Sequence, residues 1–506
     1  MLGCLLLTSC EDFLDVNQNP AQPTEAPANF RFRAMIDLTY QTKHACNMQA
    51  ARMIQYWHYT GANSGSDCFS MTNYTTTYLW WYALYIYQGT NVEIAIKDAE
   101  EKGAWHVAGA IKIFNAYTWL MTTDWLGDIP LSEAFIEKLD PKYDNQKDIY
   151  EYVHKLCDEG ILYLKRVNDD EVMPLSEAEY IYNGDVNRWI KFAYLVKARA
   201  ELHKYPYKTG QYNLDKVISY CNQSFVGNDD DFRQNSNAAS NIETHKNYWS
   251  KTRENLNSYR QSKRLVELMD GTIFQKDDGS GVMVPVQDPR LAAMFYPTVS
   301  DGIYYGITPP QGNQNSIPQM YDKVWSSPDY KPEIATYAEV CFIKAEAYFH
   351  SGDKDAALEE MQKGIRAHMQ TLKIPETDIS AYINSGALAT VGNDLTFGQL
   401  MSQKNIAMFL LAEESWTDFR RYDYEPTIFL GLEKPTYIVG EMSDQWPRRF
   451  TYLQYSEFDY NRGELRAIEA LTADDAAYWP YYYKRVWWNR PEEDSDRVYR
   501  VTPIYN

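Results

Sequence analysis

The stretch that decides the fold is Ala335–Met369, with the sequence ATYAEVCFIKAEAYFHSGDKDAALEEMQKGIRAHM. Apolar and small residues recur at steps of three and four on both sides of a central Ser-Gly-Asp, which predicts two helices joined by a short turn. Gly352 suits the left-handed position after the first helix, and Asp353 can cap the second. Small side chains on the facing sides allow the helices to approach closely. The stretch therefore predicts an antiparallel αα-hairpin.

The same stretch resembles the tetratricopeptide (TPR) consensus. The residues in matching places are Tyr348, Gly352, Asp353, Ala357 and the pair Gln362-Lys363. A single hairpin of this kind cannot bury its own apolar face, so the resemblance implies further helix pairs stacked on it. The alternative is an ordinary αα-hairpin within another helical fold.

Helical periodicity continues through most of the chain. Helices are predicted at about 30–56, 78–101, 104–123, 146–167, 189–203, 213–225, 254–270 and 396–423. Residues 271–331 and 426–506 have no lasting period and contain many Tyr, Trp, Gly and Pro residues. The predicted fold is therefore mostly α, with a TPR-like helical-hairpin scaffold over 30–270 and 332–425. A loop-rich, aromatic-rich second subdomain is predicted over 271–331 and 426–506.

The composition excludes several classes of function. The formal net charge of −20 and the lack of a basic stripe argue against nucleic acid as a partner. The seven cysteines include no CxxC pair, and the sequence contains no HExxH, GxSxG or P-loop motif. We therefore predict no cofactor and no metal ligand set, and we interpret His203 as a core histidine. The 42 Tyr and 14 Trp residues fit a surface that stacks on polar ligands.

The N-terminus resembles that of a bacterial lipoprotein. The apolar run MLGCLLLTSC ends in Leu7-Thr8-Ser9-Cys10, which is similar to a lipobox and implies that residues 1–10 are a signal and that Cys10 is lipidated. A signal peptide normally carries Lys or Arg before its apolar run, and none is present. This departure fits a start that is truncated or assigned at the wrong place. Residues 11–29 are acidic and rich in Pro and Asn, as expected of a tether.

Several segments together resemble the SusD/RagB outer-membrane lipoproteins of Bacteroidetes-type bacteria. In chain order they are CEDFLDVNQNP, DWLGDIPLSEAF, NRWIKFAYLVKARAEL, EESWTDFRRYDY and PRRFTYLQYSEFDYN. The resemblance implies a lipid-anchored protein on the outer face of the outer membrane. It also implies a partnership, as a lid, with a TonB-dependent β-barrel transporter, and capture of glycans, or in some branches peptides, without catalysis. The DWLGDIP, EESWTDFRR and PRRF segments are interpreted as structural.

The rival class is a helical-toroid glycosidase or polysaccharide lyase, which would also be acidic, helical and rich in aromatic residues. Such an enzyme needs two carboxylates that flank the scissile bond. The most tempting pair is Glu413-Glu414, but adjacent residues of a helix point about 100° apart. Asp418 is expected to pair with Arg421, three residues further along. The sequence therefore favours a binding protein over an enzyme.

Two stretches combine aromatic rings, which cover the C–H patches of a sugar, with polar groups that satisfy its hydroxyls. They are Tyr59–Trp81 and Tyr296–Trp325. For any single ring, packing is the commoner role, yet we expect at least one ligand contact within the two stretches. The candidate residues are Tyr59, Asn63, Asp67, Phe69, Tyr74, Trp81, Tyr296, Tyr304, Tyr305, Asn313, Tyr321 and Trp325. The sequence leaves open which glycan is bound, or whether a peptide is bound instead.

Overall fold

The computed structural model describes residues 26–61, 65–69, 78–136, 138–167, 172–308, 316–435, 445–453, 457–468, 470–471 and 479–491. Its helices are α1 (Ala28–Met53), α2 (Tyr78–Trp81), α3 (Gly89–Glu101), α4 (Trp105–Leu126), α5 (Gln146–Leu164), α6 (Leu175–Ala178), α7 (Val186–His203), α8 (Leu214–Asn222), α9 (Lys263–Glu267), α10 (Arg290–Met294), α11 (Tyr337–Ser351), α12 (Lys354–Thr371), α13 (Glu376–Ile383), α14 (Phe397–Ala407), α15 (Ala412–Arg421), α16 (Glu457–Tyr460) and α17 (Arg462–Ala467). A π-helical segment, Tyr82–Gln88, joins α2 to α3. The strands are β1 (Trp57–Tyr59), β2 (Phe232–Arg233), β3 (Tyr259–Gln261), β4 (Gln275–Asp277), β5 (Met283–Pro285) and β6 (Glu333–Ala335).

The hairpin predicted at 335–369 is formed by α11 and α12. The Thr336 hydroxyl accepts a hydrogen bond from the Glu339 amide and begins α11. Gly352 ends α11 in the left-handed conformation, with φ of 93°, where a residue without Cβ has no steric cost. Asp353 then caps α12 by accepting from the Ala356 amide at 3.0 Å. The turn chemistry expected from the sequence is confirmed at both positions.

Helix pairs stack on this hairpin in chain order. The pairs α4–α5, α7–α8 and α11–α12 each pack as neighbours, α5 contacts α7, α8 contacts α11, and α14 packs on α12. Gly109 of α4 and Gly160 of α5 mark one close approach, because a Cβ on either would lie 2.8 Å from the carbonyl oxygen of the other. The prediction of a mostly α, TPR-like scaffold is confirmed. Among the described helices, none has the length and apolar character needed to cross a membrane.

Two predicted helices are wrong in extent. Residues 254–270 form β3 and the short helix α9, because β3 pairs antiparallel with β1 and Ser262 starts a new helix by accepting from the Leu265 amide. Residues 396–423 form two helices, α14 and α15, separated by a turn at 408–411. In both places a local helical pattern was interrupted by contacts with distant segments.

The C-terminal part of the chain packs on the end of α4. The Phe450 ring stacks on Trp125 with centroids 4.4 Å apart and planes within 6°. The Phe450 amide donates to the Trp125 carbonyl at 2.8 Å, and the Tyr452 hydroxyl donates to the Asp128 carbonyl at 2.6 Å. These contacts give the DWLGDIP and PRRF segments the structural role that the sequence predicted.

Candidate ligand-binding site

The carboxylate pair that the sequence offered for glycan cleavage, Glu413-Glu414, is bonded to other residues inside the scaffold. Glu413 lies 3.3 Å from the Lys43 ammonium and accepts from the Asn47 amide at 2.9 Å. Glu414 instead meets His203, with the carboxylate oxygen 2.6 Å from Nε2. Both glutamates are buried, and they point to different helices. This geometry does not present two carboxylates to one substrate.

His203 is a core histidine, as predicted. Its Nε2 faces Glu414, and its Nδ1 lies 3.2 Å from Asp124. Burial alone would lower the pKa of His203, but the charges of Glu414 and Asp124 and their hydrogen bonds raise it to about 9. The residue is therefore an imidazolium at neutral pH and balances two buried carboxylates.

Asp418 pairs with Arg421 on the next turn of α15, at 2.5 Å, as the spacing predicted. Arg421 also contacts Glu346 of α11 at 2.6 Å, and Lys404 of α14 lies 2.7–2.8 Å from both Asp418 and Glu346. All four side chains are buried. The EESWTDFRR segment is thus an internal ion-pair network and does not form a site open to substrate.

The two stretches proposed for ligand contact meet on strand β3. Trp57–Tyr59 pairs with Tyr259–Gln261, and the next residue, Ser262, forms a parallel bridge with Ile307. On the side of the second stretch, the Ile307 amide donates to the Gln261 carbonyl at 2.9 Å, and the Gln261 side chain donates to the Tyr305 carbonyl at 2.8 Å. We call this arrangement the β1–β3 junction. It joins segments that lie more than 200 residues apart in the sequence.

Asp67 fixes the start of the first stretch by accepting hydrogen bonds from residues before it and within it. Its carboxylate accepts from Arg52 at 3.0 and 3.1 Å, from the Tyr59 amide at 3.0 Å, and contacts His58 Nδ1 at 2.9 Å. Burial raises the pKa of Asp67, but the hydrogen bonds and charges of His58 and Arg52 bring it below its ordinary value. Because these partners occupy the carboxylate, its observed role is to hold the loop, and a sugar hydroxyl would have to displace one of them.

Several candidate aromatic residues lie in the core. Trp325 is 1% exposed, its indole donates to the Met294 carbonyl, and its ring packs edge-on against Phe409. Trp81 is 6% exposed and packs on Tyr85. The other buried candidates are Phe69 and Tyr321. A ring enclosed in this way offers no free face for stacking in this conformation.

Other candidates are presented at the surface. Tyr296 is 36% and Tyr305 44% exposed, while Tyr59 and Tyr304 are half-buried. The Tyr59 ring packs on Tyr259 across the paired strands, with centroids 5.7 Å apart. Ligand contact by these residues stays a prediction. The remaining candidates, Asn63, Tyr74 and Asn313, lie outside the described residues, as does Cys10.

A small pocket with a volume of about 20 Å³ lies beside the β1–β3 junction. Its lining comes from the turn after α1, from β1 and α9, from the bridge residue Ile307 and from the segment 431–435. His58 lines this pocket, yet the sequence reasoning did not select it. A histidine between two aromatic residues in a short strand gives no sequence signal of a site. The orientation of the His58 ring depends on Asp67, which contacts the ring from the loop that follows β1.

Comparison with known proteins identifies the family. A family model described as "Starch-binding associating with outer membrane", of the SusD-like type, matches residues 19–453. The chain belongs to the SusD-like family. Members of this family are carbohydrate-binding, non-catalytic proteins of the outer-membrane surface. A sequence comparison with curated proteins gives no match.

Solved structures share the SusD-like fold. A chitin-binding protein has 20% sequence identity and a TM-score of 0.70, covering 90% of this chain and 99% of its own. A chitin-binding SusD homolog from Flavobacterium johnsoniae has 18% identity and a TM-score of 0.68, covering 92% and 98%. A SusD/RagB family protein from Bacteroides thetaiotaomicron has 20% identity and a TM-score of 0.65, covering 92% and 99%. At these identities the likeness establishes the fold.

The ion-pair network predicts how the stability of this SusD-like protein depends on pH. A histidine whose pKa is raised by folding from 6.5 to about 9 contributes stability that is complete below pH 6.5 and is lost as the pH rises through 9. We expect His203 to contribute roughly 3 kcal/mol to the free energy of unfolding at the low end of this window, and nothing at its upper end. Urea unfolding at a series of pH values measures the slope of the free energy of unfolding against pH.

His203→Gln should reduce the slope between these pH values, because the titrating group is removed. The exposed His245 provides a matched control, and His245→Gln should keep the wild-type slope. If the two variants have the same pH dependence, His203 does not carry the titration.

Proposed function

We propose that this protein is a cell-surface lipoprotein that captures an oligo- or polysaccharide and delivers it to a TonB-dependent outer-membrane transporter, without catalysis. The observation that carries the proposal is the β1–β3 junction, which joins the two distant stretches that carry the half-buried Tyr59 and the exposed Tyr305 and which lies next to one pocket. The family description and the chitin-binding relatives support a glycan as the ligand.

The chemistry of the junction suits a sugar. Tyr305 and Tyr59 offer rings that can cover the apolar C–H face of a pyranose, while the half-buried Thr308 carries a hydroxyl that can bond to those of the sugar. Gln55 also lines the pocket, but its amide already donates to the Glu433 carbonyl. One aromatic contact of this kind contributes on the order of 1 kcal/mol. A few such contacts give a dissociation constant in the micromolar to millimolar range. Weak, reversible capture is what a protein that hands its ligand onward requires.

The proposed location follows from the N-terminal segment. Leu7-Thr8-Ser9-Cys10 would supply a lipidated cysteine, and residues 11–29 would tether the domain to the membrane. The several acyl chains of a bacterial lipoprotein hold a protein more firmly than one chain does. A transporter barrel needs a surface that closes over its pore once ligand is captured, and a tethered domain can supply that surface.

The two exposed tyrosines of the second stretch, Tyr305 and Tyr296, test the glycan site. Tyr305→Ala should weaken glycan binding about fivefold, because it removes an exposed stacking face at the junction. Tyr296→Ala should have a smaller effect, because the Lys323 ammonium already lies 3.6 Å from the centre of the Tyr296 ring. The melting temperature should change little, since both rings are at the surface. Calorimetric titration of wild type and variants against a panel of polysaccharides, including chitin oligosaccharides, and against oligopeptides measures the effect.

Tyr460 is 62% exposed on α16 and serves as the matched control, so Tyr460→Ala should bind as wild type does. Unchanged glycan affinity in both tyrosine variants would contradict the site. Binding of peptides in place of glycans would contradict the ligand class, and release of reducing ends by the wild-type protein would contradict the absence of catalysis.

The anchor is tested by Cys10→Ala expressed with a complete native signal. The variant should leave the membrane fraction and appear in soluble fractions, because it lacks the acylated residue. Cys46→Ala, which changes a buried cysteine of the folded domain, is the control and should stay with the membrane. A Cys10→Ala protein that remains membrane-bound with unchanged electrophoretic mobility would show that the anchor lies elsewhere.

The transporter partnership is tested by affinity purification after extraction in mild detergent. We expect a large β-barrel protein to co-purify with the wild-type chain, and mass spectrometry identifies it. A known pair of this kind, processed in parallel, controls for dissociation. Recovery of the protein alone while the control pair survives would contradict the partnership.

A further inference from the structure

The pocket beside the β1–β3 junction contains a buried cation without an acidic partner. Arg264 is 3% exposed; its Nε donates to the Leu430 carbonyl at 3.0 Å and its Nη1 donates to the Asn405 side chain at 2.7 Å. Among the described residues, no carboxylate lies within ion-pair distance of this guanidinium, and its Nη2 is buried without a hydrogen-bond partner. A buried, unpaired charge is costly, so this residue favours an anionic partner.

The absence of a countercharge is evident in the pKa of Arg264. Burial lowers this pKa to about 10, and only the weak influence of Tyr56 opposes the decrease. The side chain still carries its charge at neutral pH. By contrast, the buried Arg199 and Arg421 are each paired with a glutamate. In the described part of the chain, the buried Arg420 and Arg260 also lack a carboxylate within ion-pair distance, and burial lowers their pKa as well. Arg264 differs from these two because one of its buried side-chain nitrogens, Nη2, has no hydrogen-bond partner.

His58, which also lines this pocket, has a second unsatisfied group. Its Nδ1 faces the Asp67 carboxylate at 2.9 Å, and because a carboxylate only accepts, Nδ1 carries the proton. The opposite nitrogen, Nε2, is buried and has no partner among the described residues. It can accept from a hydroxyl when the ring is neutral, and it can donate when the ring is protonated. Asp67 thus fixes a histidine that presents one free nitrogen.

Lysine side chains balance the acidic residues at the mouth of this pocket. Lys263 is half exposed and lies 3.5 Å from Glu267 and 3.9 Å from Glu433. Lys434 also lines the opening. Lys263, Lys434 and Arg264 carry three positive charges, and the two glutamates carry two negative charges. The carboxylates face Lys263, so the interior position beside Arg264 keeps its positive charge.

We propose that this pocket binds an anionic group, a carboxylate or a sulfate, carried by a sugar residue of the captured glycan. The inference rests on the proposed glycan-binding function and names the ligand class. A uronic acid unit carries a carboxylate and hydroxyls on one ring, so it can accept from Arg264 and donate to His58 Nε2 together. A carboxylate at a peptide C-terminus lacks the adjacent hydroxyls. The half-buried and exposed tyrosines nearby stack on the neighbouring sugars.

The overall charge of −20 opposes the approach of an acidic glycan, while the pocket attracts its anionic group. These two effects respond differently to salt. The long-range repulsion is screened beyond about 8 Å at physiological ionic strength, whereas a partly buried ion pair is screened much less. Affinity for an acidic glycan should therefore hold or increase as salt is raised from low to physiological concentration. An affinity that came from non-specific attraction to surface lysines would instead fall as salt is raised.

The test compares glycans that differ only in the anionic group. Polygalacturonate is measured against its carboxyl-reduced form, and a sulfated galactan against its desulfated form, so that the two anions are distinguished. We expect one acidic glycan to bind about tenfold more tightly than its neutral counterpart, as one charge-assisted hydrogen bond supplies. Lys263→Gln should reduce this ratio several-fold, because it leaves Glu267 and Glu433 without their countercharge at the mouth of the pocket. Lys147→Gln, on the exposed side of α5, should keep the wild-type ratio.

Arg264→Gln should abolish the preference. Should this variant fail to fold, the comparison of glycan pairs on wild type and Lys263→Gln still decides the question. Equal affinity for acidic and neutral forms would overturn the anion pocket and leave the glycan-binding function standing. Binding to no glycan would overturn both proposals. Binding of a peptide with a free C-terminal carboxylate, but not of its amidated form or of any acidic glycan, would overturn the assignment to an acidic sugar.

Discussion

The compensation of buried charge on α15 is the constraint on which the rest of the structure depends. All ten residues of this helix are buried, including five that carry charge. Charges removed from water are costly unless they are paired or hydrogen-bonded, so α15 needs partners from several neighbouring helices. Lys43 of α1, His203 of α7, Glu346 of α11 and Lys404 of α14 supply them. The relative positions of these four helices are thereby coupled through a single short segment.

Local physical rules account for what the sequence could predict. Gly352 and Asp353 fix a helix end and a helix start through their own backbone conformation and capping, without reference to distant residues. The Asp418–Arg421 pair follows in the same way from the spacing of three along a helix. The stacking of hairpins then follows because one pair cannot bury its apolar face alone. The scaffold was predictable for these reasons.

The candidate site was less predictable because its contacts join distant parts of the chain. Nothing local indicates that 259–261 forms a strand, since that strand exists only through pairing with 57–59. Trp325 and Trp81 have the residue type expected of a sugar platform, but tertiary packing encloses them. Asp67 was selected for its carboxylate, which the fold uses to orient His58. In each case the residue type suggested a role, but contacts with distant parts of the chain determined whether the side chain is exposed or buried.

The β1–β3 junction is held largely by main-chain hydrogen bonds, which do not depend on the identity of the side chains they carry. Exposed positions along these segments are therefore free to change during evolution without cost to the pairing that holds them. The ion-paired interior has no such freedom, because replacing one charge leaves another without its partner. Substitutions at a few of these positions would thus alter the surface offered to a ligand, while the backbone pairing that presents it stays intact.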